Sequence, residues 1–188
     1  SNYIVAIIII YLLLVAIFSH WGYPLLIMTT IPFGVAGGIL GLWLFNLGGA
    51  WLPLIGMSEL HLSFDMIAML GFLILMGTVV NNPILIVHQA MTNVRDRGMQ
   101  ALDAVRHAVD ARLRPIAMST LTTVFGLAPL VFLAGEGTEL YRGVGVIVMF
   151  GLLGTAIVSL TFLPALTALV LKFSSSDQTR LMKRRQPD

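Results

Sequence analysis

Residues 66–94 read "MIAMLGFLILMGTVVNNPILIVHQAMTNV", a run that contains no Asp, Glu, Lys or Arg. A bilayer core of about 30 Å is crossed by roughly 20 helical residues, so this run is long enough to cross one. Two amides and a proline, Asn81, Asn82 and Pro83, nevertheless stand in its middle. The run therefore predicts a transmembrane helix that carries a polar interruption.

The absence of charge recurs along the chain, in residues 1–58, 115–135 and 143–171. Of the 188 residues, 57% are hydrophobic and 11% are charged, and the mean hydropathy is +0.92. A charge at the centre of a membrane helix costs about 2.5–3.5 kcal/mol on the insertion scale, so the charge-free runs mark the membrane. This composition predicts an all-α integral membrane protein.

Five transmembrane spans fit these runs. They are predicted at about residues 2–19, 24–46, 65–90, 113–134 and 141–171. Leu102, Val105 and Val109 form an apolar stripe, which predicts a helix over about 98–111 that lies on the cytoplasmic interface. The polar end of the chain, 174–188, is predicted to be a disordered cytoplasmic tail.

The basic residues predict the orientation. Residues 91–114 contain five arginines, and 172–188 contain five lysines and arginines. The loops 47–64 and 135–142 contain Arg142 as their one basic residue. The positive-inside rule therefore places residues 91–114 and 172–188 in the cytoplasm. It also explains the basic residues without nucleic-acid binding. The N-terminus then lies outside, so we expect a preceding segment and predict that the chain is a fragment.

The sequence gives little support for an enzyme or a metal-binding protein. The chain has no cysteine, which excludes disulfides, iron–sulfur clusters and thiolate zinc sites. No nucleophile and base share a plausible site, so no catalytic residue and no cofactor are expected. The methionines are interpreted as flexible packing residues, and no metal site is predicted.

A glycine pattern in the second span predicts close helix packing. Gly34 with Gly38 and Gly37 with Gly41 form two overlapping pairs of small residues four apart. Such pairs let a neighbouring helix backbone approach closely.

Asn81 and Asn82 point about 100° apart on a helix, so they cannot both face one neighbour. Pro83 has no N–H for the carbonyl of Val79, which is left free for another group. Two interpretations of the amides stay open. They either form hydrogen bonds across helices or belong to a transport pathway.

Arg112 and Ser119 are seven residues apart and share a helix face, whereas Arg114 points nearly the other way. Taken alone, "RLRP" at 112–115 is typical of a membrane anchor with a proline early in the following helix.

Three motifs together carry a resemblance. They are "GTVVNNPILIVHQA" at 77–90, "RLRPIAMSTLTTVFGLAPL" at 112–130 and "GEGTELYRGVGVIVMFGLLGT" at 135–155. In this order and spacing they resemble the C-terminal membrane half of resistance-nodulation-division (RND) efflux permeases, in particular the hydrophobe/amphiphile multidrug exporters. The resemblance covers nearly the whole chain as spans eight to twelve of a twelve-span protein.

The resemblance implies a homotrimeric proton antiporter of the bacterial inner membrane. Such a pump exports amphiphilic compounds through a periplasmic adaptor and an outer-membrane channel. It also implies a first membrane half, which carries two aspartates of a proton relay, and a large periplasmic domain before span eight.

The resemblance also implies roles for four residues. Asn81 occupies the place of the relay lysine, Asn82 that of the asparagine after it, Arg112 that of the relay arginine and Ser119 that of the relay hydroxyl. Because an amide carries no charge, Arg112 is expected to supply the positive charge while Asn81 and Ser119 bond to the carboxylates. Two alternatives remain, which are heavy-metal efflux within the same family and a non-transporting membrane protein that senses lipid or binds partners.

Overall fold

The computed structural model describes residues 2–19, 21–49, 65–133, 135 and 137–184, with side chains as far as residue 173. Its helices are α1 (Asn2–Phe18), α2 (Gly22–Met28), α3 (Thr30–Gly49), α4 (Met66–Val79), α5 (Asn81–Arg97), α6 (Ala101–Phe132) and α7 (Thr138–Arg184). The described part of the chain contains no β-strand. The predicted all-α fold class is confirmed.

Four helical stretches are long and apolar enough to cross a membrane. They are Gly22–Gly49, Met66–Arg97, Ala101–Phe132 and Thr138–Phe173. The first predicted span corresponds to α1, which is apolar but only 17 residues long. Most of the loop predicted at 47–64 lies outside the described residues.

Two of these stretches are interrupted, and both interruptions lie four residues before a proline. Helix α2 ends at Met28, ahead of Pro32, and α4 ends at Val79, ahead of Pro83. Because proline has no N–H, the carbonyls of Met28 and Val79 lose their partner one turn further on. The linking residues keep right-handed helical angles, so the helices continue past each break. The interruption inside residues 66–94 is thus a missing backbone hydrogen bond at the carbonyl of Val79, and the helical path continues past it.

Helix α7 lies at the centre of the bundle and packs against α3, α4 and α6. Its closest neighbour is α3. A Cβ atom at Gly37 would lie 3.2 Å from the carbonyl oxygen of Phe150 and 3.5 Å from Cα of Gly154. A Cβ atom at Gly41 would overlap the side chain of Phe150. The two backbones approach so closely because these α3 positions have no side chain.

The other two glycines of the pattern lie on the same side of α3. A Cβ atom at Gly34 would lie 2.6 Å from Cγ2 of Val79 and 2.8 Å from Oγ1 of Thr155. At Gly38 it would lie 3.1 Å from Cγ2 of Ile147. Gly34 therefore lies where α3, α4 and α7 meet, at the residue where α4 ends.

Residues 101–111, which belong to the helix predicted on the cytoplasmic interface, are helical and form the start of a longer helix, α6, which runs from Ala101 to Phe132. Of the predicted apolar stripe, Val105 is buried whereas Leu102 is 55% exposed. The first turns bury Ala104 and Ala108 together with Val105, and α6 packs against α5. The small alanines permit this close approach, so the segment packs on a neighbouring helix and joins the following span without a break.

Residues 174–184, for which a disordered tail is predicted, continue α7 as helix to Arg184. Residues 165–184 contain neither Gly nor Pro. Extending an existing helix adds a hydrogen bond for each residue that is fixed, without a new nucleation cost. Residues 185–188 lie outside the described residues.

Candidate functional site

The two predicted amides begin α5 but differ in burial. Asn82 is 6% exposed, whereas Asn81 is exposed at the surface of the described bundle. The angle of about 100° between adjacent helical residues accounts for this difference. Neither side chain forms a hydrogen bond within the part of the chain that the structure describes. Asn81 is therefore available to a group outside these helices.

Arg112 and Ser119 lie on α6, one half-buried and the other exposed. The guanidinium Nη2 of Arg112 donates a hydrogen bond to Oε1 of Gln89 on α5, at 3.0 Å. Among the described residues Arg112 has no ion-pair partner. The structure thus places a permanent positive charge against a neutral acceptor.

Gln89 is itself held by a further amide. Its Nε2 donates to Oδ1 of Asn93, at 3.2 Å. Asn93 is completely buried, and its Nδ2 donates to the backbone carbonyl of Ala104 at 3.1 Å. The same Nδ2 lies 3.4 Å from Nδ1 of His107. A chain of amides therefore joins the first turn of α6 to Arg112, two turns further along the same helix.

The sequence analysis did not identify Gln89 and Asn93 as site residues. A signal was present, because Asn82, Gln89 and Asn93 are seven and four residues apart and so recur on one face of α5. Asn93 also accepts the backbone N–H of Met99 through its own carbonyl, at 3.3 Å. Gly98 ends α5 in the left-handed conformation at φ 63°, which glycine adopts without strain. The turn and the buried amide together position α6.

The register of the two antiparallel helices, α5 and α6, brings Asn82 and Ser119 to one level. Asn82 stands seven residues before Gln89, and Ser119 stands seven residues after Arg112. Two turns from the Gln89–Arg112 hydrogen bond, Asn82 therefore lies at the height of Ser119. Within the described part, no hydrogen bond joins the two amides to Arg112 or Ser119. The four predicted residues share one helix pair but do not form a closed cluster.

The apolar turn between these levels is well packed. Ile86 is completely buried and Ile116 is 1% exposed, and both belong to the hydrophobic core. The helix pair therefore has two polar levels, one around Arg112 and one around Asn82 and Ser119, with an apolar layer between them. Within the described residues, no group of three or more His, Asp or Glu that could hold a metal ion occurs.

Arg142 lies outside this site, at the other end of α6. It belongs to the first turns of α7 and is 4% exposed. Its Nη2 donates to the carbonyl of Leu133, at 3.2 Å. The last carbonyls of a helix have no internal partners and carry partial negative charge, so a cation stabilises them. Arg142 caps the C-terminus of α6.

The chain is similar in sequence to known transport proteins. Residues 2–171 match the AcrB/AcrD/AcrF family. The multidrug resistance protein MdtC of Edwardsiella ictaluri is 35% identical over 155 residues, which are 82% of this chain and 14% of that protein. MdtC of Pectobacterium atrosepticum is 31% identical over 183 residues, or 97% of this chain and 16% of that protein.

A third relative shows a similar identity and coverage. MdtC of Escherichia coli O1:K1 is 30% identical over 184 residues, which are 98% of this chain and 16% of that protein. The chain thus spans only 14–16% of the length of these curated relatives.

Proposed function

The chain belongs to the AcrB/AcrD/AcrF family, and from that premise we propose that it forms part of a proton-driven pump that exports amphiphilic compounds. It is a multi-pass segment of a bacterial inner membrane protein. Its relatives are named multidrug resistance proteins, which favours multidrug over heavy-metal export. The proposed pump carries out no covalent chemistry.

The observation that carries the proposal is the half-buried Arg112, which is bonded to neutral Gln89 and has no ion-pair partner among the described residues. A charge at the edge of a membrane bundle is costly unless an opposite charge compensates it. No Asp or Glu occurs in the apolar runs of this chain. The compensating carboxylates are proposed to lie on the first membrane half of the same transporter, which packs against this face.

In the proposed cycle Arg112 responds to the charge of those carboxylates. When they are ionised, they attract the guanidinium and accept hydrogen bonds from Asn81 and Ser119, which are both exposed toward a partner. When they take up a proton, the ionic attraction is lost while the hydrogen bond to Gln89 remains. Protonation thereby changes how strongly α5 and α6 are held against the first half, and the proton gradient supplies the free energy for that change.

The assembly around this chain is proposed from the family resemblance. The transporter would be a homotrimer that works with a periplasmic adaptor and an outer-membrane channel. The lipid bilayer surrounds the apolar faces, and the exported amphiphile binds outside the described helices.

Replacement of Arg112 tests the proposal in the transporter that contains this chain. Arg112→Ala is expected to lower dye export about tenfold or more, because a charge-assisted interaction of about 1.5–3 kcal/mol is removed. Arg114→Ala is the matched control, since Arg114 is exposed and two residues further along the same helix. Membrane insertion and trimer formation should be unchanged in both. Equal losses of export would show that the arginines only anchor α6, as expected for a non-transporting membrane protein.

A further inference from the structure

A second polar region lies at the end of the bundle where α1 stops. A crevice of about 810 Å³ opens there between the last turn of α1, the start of α2, the C-terminal half of α5 and Leu171 of α7. Its walls include the apolar side chains of Phe18, Met91 and Leu171. Its polar lining includes Arg95 and Asp96 of α5. This region, here called the α1–α5 crevice, plays no part in the proposed coupling site.

In the predicted topology, the crevice lies where the hydrocarbon of the bilayer meets the headgroups. The apolar helix α1 ends at Phe18, and the charge-free run of α4 and α5 ends at Arg95. A ligand in the crevice would therefore have one end among charged side chains and the other against apolar walls. That arrangement suits an amphiphile and does not suit a fully polar solute.

The two charges in the crevice are free to bind such a ligand. Arg95 and Asp96 are exposed, and neither forms an ion pair or a side-chain hydrogen bond with another described residue. Arginine binds phosphate through several N–H groups, and a carboxylate accepts hydrogen bonds from an ammonium group. Because both side chains line the crevice, together they match a headgroup that carries a phosphate and an ammonium.

The apolar side of the crevice is built from packed rings. The ring of Phe18 is 7% exposed, and it meets the imidazole of His88 edge-on at a centroid distance of 6.2 Å. The ring of Tyr23 lies 6.4 Å from that of Phe18. These contacts hold the floor of the crevice in place, and an acyl chain can lie along it toward Leu171.

We propose that the α1–α5 crevice binds a phospholipid whose headgroup carries a phosphate and a primary ammonium, as in phosphatidylethanolamine. The phosphate is bound by Arg95 and the ammonium by Asp96, while an acyl chain covers the apolar wall. Phosphatidylcholine fits less well because its quaternary ammonium has no N–H to donate to the carboxylate. The proposal is independent of proton coupling, because neither residue contacts Arg112.

The test uses the purified transporter that contains this chain, reconstituted in nanodiscs made from phosphatidylethanolamine, phosphatidylglycerol and phosphatidylcholine in equal parts. Lipids that stay bound after stepwise delipidation are counted by native mass spectrometry. Arg95→Gln is expected to lower the amount of retained phospholipid about tenfold, as loss of a charge-assisted contact predicts. Asp96→Asn should abolish the preference for phosphatidylethanolamine over phosphatidylcholine while leaving phosphatidylglycerol binding unchanged.

Arg97→Gln is the matched control, because Arg97 is an exposed arginine of the same helical turn that does not line the crevice. Equal lipid retention in Arg95→Gln and Arg97→Gln would overturn the proposal. Competition by inorganic phosphate alone would also overturn it, since the site would then bind free anions. If an exported amphiphile displaces the lipid and Arg95→Gln weakens only that amphiphile, the crevice is a substrate entrance and not a lipid site.

Discussion

Gln89 is the residue that determines where Arg112 lies. Its amide accepts the guanidinium hydrogen bond and donates to buried Asn93. Gln89→Met keeps a similar volume but removes both hydrogen bonds. We expect export to fall severalfold because Arg112 loses its fixed position, while the rate of membrane insertion stays the same. Dye export from cells with matched transporter levels measures this.

The control for Gln89 is Thr92→Val, one turn away on α5. The hydroxyl of Thr92 donates only to the carbonyl of His88 on its own helix, so its loss should change export little. Gln89→Glu keeps an acceptor for Arg112 but gives it an ion-pair partner and removes the donor to Asn93, so export should fall because Arg112 responds less to the carboxylates of the first half. A Gln89→Met transporter as active as the parent, next to an inactive Arg112→Ala transporter, would refute positioning by Gln89 and leave the role of Arg112 intact.

The two asparagines are expected to act differently because their burial differs. Asn81 is exposed toward the proposed first half, so Asn81→Leu should leave an acidic partner unpaired, at about 1–3 kcal/mol, and lower export. Asn81→Lys should keep partial activity with a shifted pH optimum. Asn82→Leu alters a buried position and should change stability more than pH dependence. Export measured from pH 5.5 to 8 tests this, and an unchanged profile for Asn81→Leu would leave Asn81 a packing residue.

At the scale of helices, the contact between α3 and α7 depends on the absence of side chains. A methyl group at Gly41 would overlap Phe150, so Gly41→Ala should destabilise the transporter by about 1–3 kcal/mol. Gly48→Ala is the control within α3, because a Cβ atom there meets nothing within 4 Å. It should be neutral or slightly stabilising. Thermal unfolding of the purified protein in detergent gives both values, and similar melting temperatures would show that α3 can move away from α7.

At the scale of the whole molecule, the distribution of basic residues predicts which ends of the helices face the cytoplasm. Arg97 and Glu139 are both exposed and lie at opposite ends of the bundle in the predicted topology. In a cysteine-free transporter, Glu139→Cys should react with an impermeant thiol reagent added to intact cells, and Arg97→Cys should react only after the cells are opened. Labelling of position 97 alone from outside would reverse the predicted orientation.

By itself the sequence determined the all-α fold class and indicated the interruption at Pro83 within residues 66–94. Each of these properties depends on local chemistry. Charge-free runs partition into a bilayer whatever they pack against. A proline removes the same hydrogen bond in any helix, and α4 accordingly ends at Val79, four residues before Pro83. The role of Arg112 was implied by the family resemblance, because Arg112 and Arg114 both stand at the edge of an apolar run.

Only the tertiary structure decided how residues 98–111 are placed and what holds Arg112. Local periodicity favoured Leu102, Val105 and Val109, whereas the bundle buries Val105 together with the small Ala104 and Ala108. The angle between α5 and α6 depends on how closely their backbones approach, and this becomes defined only when both helices are packed. Asn93 then reaches the carbonyl of Ala104, and Gln89 reaches Arg112, 23 residues away in sequence. Such hydrogen bonds depend on how two helices are placed relative to each other. The spacing of residues within one helix does not predict that placement.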